Sequence, residues 1–104
     1  MQFEWDENKR QANIEKHGID FVDAVKIFDG FTSARQDIRA DYGEERYVIV
    51  GLLDGVEISV INTPRGNKLR IISVRRARIS ERKRYYEEVM ENGDRFRKTE
   101  GNEG

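Results

Sequence analysis

The sequence predicts an α+β domain: an N-terminal helical hairpin, a three- or four-stranded antiparallel sheet and a C-terminal helix. Three observations carry this expectation. Helix-favouring segments lie on either side of Gly18. The runs RYVIVGLL and VEISVIN flank Asp54-Gly55, a dipeptide that supplies the positive φ angles of a two-residue hairpin. Helical composition then returns from Ala77 to Glu91.

Taken in order, Phe3 and Trp5 alternate with polar residues before Asp6, as in a short opening strand followed by a helix N-cap. The helix from Glu7 to His17 carries Lys16 and His17 in its last turn, where the dipole favours cations, and Gly18 at the C′ position. It is mostly polar, so it should lie on the surface and touch the core only through Ala12 and Ile14. Asp20 can cap a second helix, in which Phe21, Ala24, Val25 and Phe28 form a stripe at i, i+3, i+4 and i+7. Asp29-Gly30 ends it.

The stretch from Thr32 to Tyr42 is weakly patterned, with a fourth strand as an option between Ser33 and Asp41. Strands are expected from Arg46 to Leu53, from Val56 to Asn62 and from Lys68 to Val74. Pro64-Arg65-Gly66-Asn67 turns the chain between the last two. In the final helix Ile79, Tyr86 and Met90 fall at roughly helical spacing. Residues 1–92 therefore read as one domain, and residues 93–104, nearly free of apolar side chains, as a disordered tail.

Of the 104 residues 38% are charged and 37% hydrophobic, which predicts a small core under a heavily charged surface. With no cysteine and one histidine, neither a disulfide framework nor the usual zinc site is available, so no metal or cofactor is expected. No apolar run is long enough to span a bilayer, and a cytoplasmic protein is the expectation. The net charge of −1 argues against general coating of nucleic acid, but it averages unequal segments. Leu69 to Tyr86 holds Arg70, Arg75, Arg76, Arg78, Arg82, Lys83 and Arg84 against the single acid Glu81.

Arg75 and Arg76 stand where the last strand meets the last helix. Cations at a helix N-terminus oppose its dipole, and with no obvious acid beside them they read as an anion site. Arg78, Arg82 and Tyr85 continue along one helix face, and Arg70 can join from the strand. Arg82 and Lys83 read more simply as a solvated face paired with nearby glutamates. On the first helix Lys9, Asn13, Lys16 and His17 share one side. His17 suits proton transfer near neutral pH, although it could equally close the helix end.

Three segments together resemble the BrnT family of type II toxin–antitoxin toxins, which is distantly similar in fold to RelE-type ribonucleases. The first is FEWDENKRQANIEKHGIDFVDAVKIF, through Trp5, Asp6, Lys9, Asn13, Lys16, His17, Gly18, Phe21 and Ala24. The others are GEERYVIVG, from Gly43 to Gly51, and RIISVRRARISERKRYY, from Arg70 to Tyr86. Val74 departs from the small alanine common there. The resemblance implies a RelE-like endoribonuclease that cuts RNA and inhibits growth. It also implies neutralisation by a BrnA-type antitoxin, whose DNA-binding part would bring the complex to operator DNA.

Metal-independent cleavage of RNA needs a base for the 2′-OH, cations for the phosphate and an acid for the 5′ oxygen. The expected phosphate clamp is Arg75 and Arg76 with help from Arg70. His17 is the expected proton-transfer group, with Glu44 or Tyr85 as alternatives, and Lys9, Asn13, Lys16, Arg70, Arg78 and Arg82 are expected to bind substrate. The competing class is a non-enzymatic module whose basic surface receives the antitoxin or supports DNA binding of a complex. Direct sequence-specific DNA binding is the weakest reading, because no helix-turn-helix or ribbon motif is evident.

Overall fold

The opening strand, which is not counted in the expected sheet, joins it. In the computed structural model, which describes the backbone of residues 1–101 and the side chains of residues 1–92, β1 (Gln2–Trp5) lies parallel to β5 (Lys68–Arg76). The remaining strands are β2 (Ser33–Gln36), β3 (Tyr47–Leu53) and β4 (Val56–Arg65), all in antiparallel pairs. The sheet order is β1-β5-β4-β3-β2. The expected antiparallel sheet of three or four strands is thus a five-stranded mixed sheet. The β1–β5 pair joins segments from opposite ends of the domain, so no local pattern announces it.

The β3–β4 hairpin follows the sequence closely. Asp54 and Gly55 both take positive φ, 50° and 79°, as the tight turn requires. At the β4–β5 connection the turn is shorter than expected, because β4 continues through Pro64 to Arg65. Proline fits there because β3 pairs only as far as Asn62, so Pro64 needs no ladder N–H on that side.

The helical hairpin is also revised. Helix α1 (Glu7–His17) is capped by Asp6, which accepts from the Asn8 and Lys9 amides, and ends at Gly18 in the left-handed region with φ 70°. Helix α2 spans only Phe21–Ala24 and tightens into a 3-10 helix, Val25–Asp29. The buried residues are accordingly Phe21, Ala24 and Ile27, at the three-residue period of that tighter winding, while Val25 and Phe28 are half-buried. Ile27 sits on β3 where Gly51 lacks a side chain, since a Cβ there would lie 2.8 Å from the Cβ of Ile27.

Two apolar layers sandwich the sheet. Phe21, Ala24 and Ile27 pack on Ile49, Ile58, Val60, Ile71 and Val74 on one face. On the other, Tyr85 of α3 (Ile79–Gly101) covers Val48, Val50 and Ile61. The helix begins two residues later than the sequence suggests. The disordered tail expected from residue 93 falls on residues whose side chains lie outside the described part.

Candidate active site

β1 stops opposite Ile71, whereas β5 runs on to Arg76, so the outer edge of β5 loses its strand partner midway. Helix α1 fills the gap. Asn13, 6% exposed, accepts from the Val74 amide at 3.0 Å and from the Ser73 hydroxyl at 3.4 Å. It donates through Nδ2 to the Ile19 carbonyl at 2.9 Å. One side chain therefore ties the sheet edge to α1 and to the turn after it. Arg10 adds a two-pronged pair to Asp20, at 2.8 and 2.9 Å, which fixes α1 against the start of α2. Arg10 and the Val22 amide together hold the Asp20 carboxyl at about 2, well below its usual range.

Beside Asn13 lies a cleft of about 260 Å³, lined by Lys9, Ala12, Asn13, Lys16, His17, Ile72 and Ser73. A bulge in β5 shapes its floor: Ser73 pairs with Ile61 and Ile71 with Asn62, leaving Ile72 as the extra residue. No carboxylate lines the cleft. Two lysines, a half-buried histidine and a hydroxyl surround it, an arrangement that attracts an anion. The four residues of the first-helix stripe, Lys9, Asn13, Lys16 and His17, are thus together at one cavity.

The arginine junction differs from expectation. The absent acid is Glu81, three residues into the helix start and 4% exposed. Its Oε1 accepts from Arg75 at 2.7 Å, from the Arg78 amide at 2.8 Å and from the Ser59 hydroxyl at 2.9 Å. Its Oε2 accepts from Arg75 at 2.9 Å and from Arg35 at 3.0 Å. Burial pushes this carboxyl up, but the Arg75 guanidinium, the Arg78 amide and the Ser59 hydroxyl outweigh it and bring its pKa to about 2. Arg75 is therefore held by an internal anion and is not a free clamp.

The other expected residues scatter. Arg70 pairs with Glu4 at 3.1 Å, and Arg82 reaches Glu57 at 3.8 Å. Arg76 and Arg78 are exposed and do not line the cleft. Glu44 is at the surface near Arg46, at 3.3 Å, in the loop before β3. Tyr85 is 3% exposed, donates to the Phe31 carbonyl at 3.3 Å, and has its phenol pKa raised by burial. Neither Glu44 nor Tyr85 lines the cleft with His17.

Sequence reasoning missed Ser73, Arg35 and the role of Glu81. Glu81 had a legible signal, an acid at the third helical position that can bond back to the N-cap amide. Arg35 had none, because only the sheet brings β2 near α3.

The fold and cleft define a small α+β domain with two lysines and a histidine around one cavity. The family model described as "Ribonuclease toxin, BrnT, of type II toxin-antitoxin system" matches residues 5–81, and the chain belongs to that family. The match takes in α1, the whole cleft and Glu81. No curated protein matches the chain. Membership implies RNA as substrate and an antitoxin as partner. Among the described residues no helix is long and apolar enough to cross a membrane.

Proposed function

We propose that the protein is a metal-independent endoribonuclease that cuts RNA in the α1–β5 cleft and inhibits growth when its antitoxin is absent. The observation that carries this reading is the meeting of the only histidine with Lys9 and Lys16 in a cavity lined by no carboxylate. His17 takes the proton of the ribose 2′-OH, whose oxygen attacks phosphorus. The bond from phosphorus to the 5′ oxygen breaks, giving a 2′,3′-cyclic phosphate and a 5′-OH. The ammonium of Lys16 or Lys9 offsets the charge building on the phosphate and supplies the proton to the leaving oxygen. Asn13 positions the helix that carries these groups. Among the described residues no three His, Cys, Asp or Glu side chains converge in a metal-holding group.

Cleavage of RNA by the purified protein in excess chelator tests this. Folded His17→Ala is expected to lose at least about 100-fold in rate, the scale of a lost acid–base group. A wild-type rate for this variant excludes histidine chemistry, and loss of wild-type cleavage in chelator overturns metal independence.

The second reading, a non-enzymatic module, draws on α3. Ile79, Tyr86 and Met90 lie on one side of the helix and are 77%, 44% and 67% exposed, an apolar stripe suited to a protein contact. Antitoxin binding that is lost with these residues, from a free protein that cuts no RNA, favours that reading.

A further inference from the structure

Two clefts lie towards opposite edges of the sheet, and the strand register relates Ser73 of one to Arg35 of the other. Arg35, Val48, Ile61 and Ser73 form one cross-strand row. Ser73 belongs to the α1 cleft, and Arg35 is on the opposite edge strand, three spacings of about 4.8 Å away, or roughly 14 Å. The second cleft, about 200 Å³, is lined by Arg35, Ser80, Glu81 and Arg84.

Its charge is positive despite Glu81. Both Glu81 oxygens are engaged by donors. Arg35 gives Glu81 one N–H, and Arg84 meets Glu88 through Nε alone, at 3.3 Å. Each guanidinium keeps further donors. The Arg35 and Arg84 side chains are 37% and 54% exposed, so those donors are reachable from solvent. Guanidiniums of Arg35, Arg75 and Arg84 stand against carboxylates of Glu81 and Glu88. Two guanidinium forks beside the Ser80 hydroxyl suit a phosphodiester, which such groups bind without reading a base.

We propose that Arg35, Arg84 and Ser80 form a second phosphate subsite, which holds a single-stranded RNA more than one nucleotide away from the phosphate in the α1 cleft. The proposal rests on the ribonuclease reading and extends it: since α3 covers Val48 and Ile61 between the clefts, the substrate runs past the start of α3, and its grip depends on length. Between the clefts the strand passes over the Arg75–Glu81–Arg35 bridge.

The test is equilibrium binding of 2′-O-methyl RNA, which has no attacking 2′-OH, as a dinucleotide and as an octanucleotide. Wild type is compared with Arg84→Gln and, as a second variant, Arg35→Gln, each checked for folding by thermal melting. The octanucleotide is expected to bind wild type more tightly than the dinucleotide. Arg84→Gln is expected to weaken it about tenfold and to leave the dinucleotide unchanged. The slope of log K against log salt should fall by about 0.7, one phosphate contact on a single strand. Equal weakening of both lengths, no weakening of the octanucleotide, or no preference of wild type for length overturns the subsite. So does a variant that loses antitoxin binding alone, which assigns the cleft to a protein interface. Since the probe cannot be cut, a wild type that binds it in this way yet cleaves no RNA removes the ribonuclease reading and leaves the subsite standing.

Discussion

At the α1 cleft Lys9, Lys16 and His17 face a cavity without a carboxylate, whereas Arg75, two residues beyond Ser73 on β5, is locked to the buried Glu81. Both regions are rich in cations, yet they use them in opposite ways. At the hub the fold supplies its own anion, and the positive charge holds α3 to the sheet. At the cleft no carboxylate lines the cavity among the described residues, and under the proposed function the charge serves the RNA phosphate. The number of basic residues in a segment is therefore a poor guide to binding. What matters is whether the tertiary structure has already neutralised them.

The sharpest break of this contrast is Glu81→Ala. It leaves Arg75 and Arg35 without their carboxylate and strands the Ser59 hydroxyl and the Arg78 amide, so stability should fall by about 3–5 kcal/mol in denaturant unfolding. A loss below about 1 kcal/mol would mean that the hub is no more than a surface ion pair.

Acid should probe the same hub. The Glu81 carboxyl is lower in the folded protein, at about 2, than its ordinary value of 4.5. Its contribution is thus complete above about pH 4.5 and is lost as pH falls through 2. Asp20, held down by Arg10, acts in the same direction. Denaturation midpoints measured across this range should fall for the wild type and fall less steeply for Glu81→Gln. Parallel curves would remove Glu81 as a source of the acid sensitivity.

Asn13→Ala tests the cleft side and should cost about 1–3 kcal/mol, because the Val74 amide and the Ile19 carbonyl lose their partner. RNA binding should weaken as well, since Lys9 and Lys16 ride on the helix that Asn13 anchors. The smallest effect on stability is expected for Lys9→Ala with Lys16→Ala, within about 0.5 kcal/mol by thermal melting, since both residues are exposed. Their RNA affinity should nonetheless drop. A large stability loss would show that these lysines are structural, and the contrast with Arg75 would disappear.

Several parts of this picture were legible beforehand. Asp6, Gly18 and Asp20 take the cap positions read for them, and Asp54-Gly55 makes the expected turn. Lys9, Asn13, Lys16 and His17 share a helix side by periodicity alone, and they meet at one cleft. The short α2 was harder to read: its stripe fits either helical period over so few residues, and Gly51, which admits Ile27 closely, lies far along the chain. At the arginine junction the sequence showed no obvious acid beside Arg75, because only the packing of Ser59 and Arg35 draws Glu81 into the interior.

By itself the sequence determined the bounds of α1, the cap that starts α2, the β3–β4 hairpin and the grouping of cations on α1. Each depends on φ angles, caps and spacings among residues a few positions apart, which neighbours along the chain impose. Only the tertiary structure decided that β1 pairs with β5, that Asn13 completes the sheet edge β1 leaves open, and that Arg75 is neutralised while Lys9 and Lys16 are not. Those outcomes depend on distance through space, and a carboxylate removes a charge from use only where the packed strands and helices bring it within hydrogen-bonding reach.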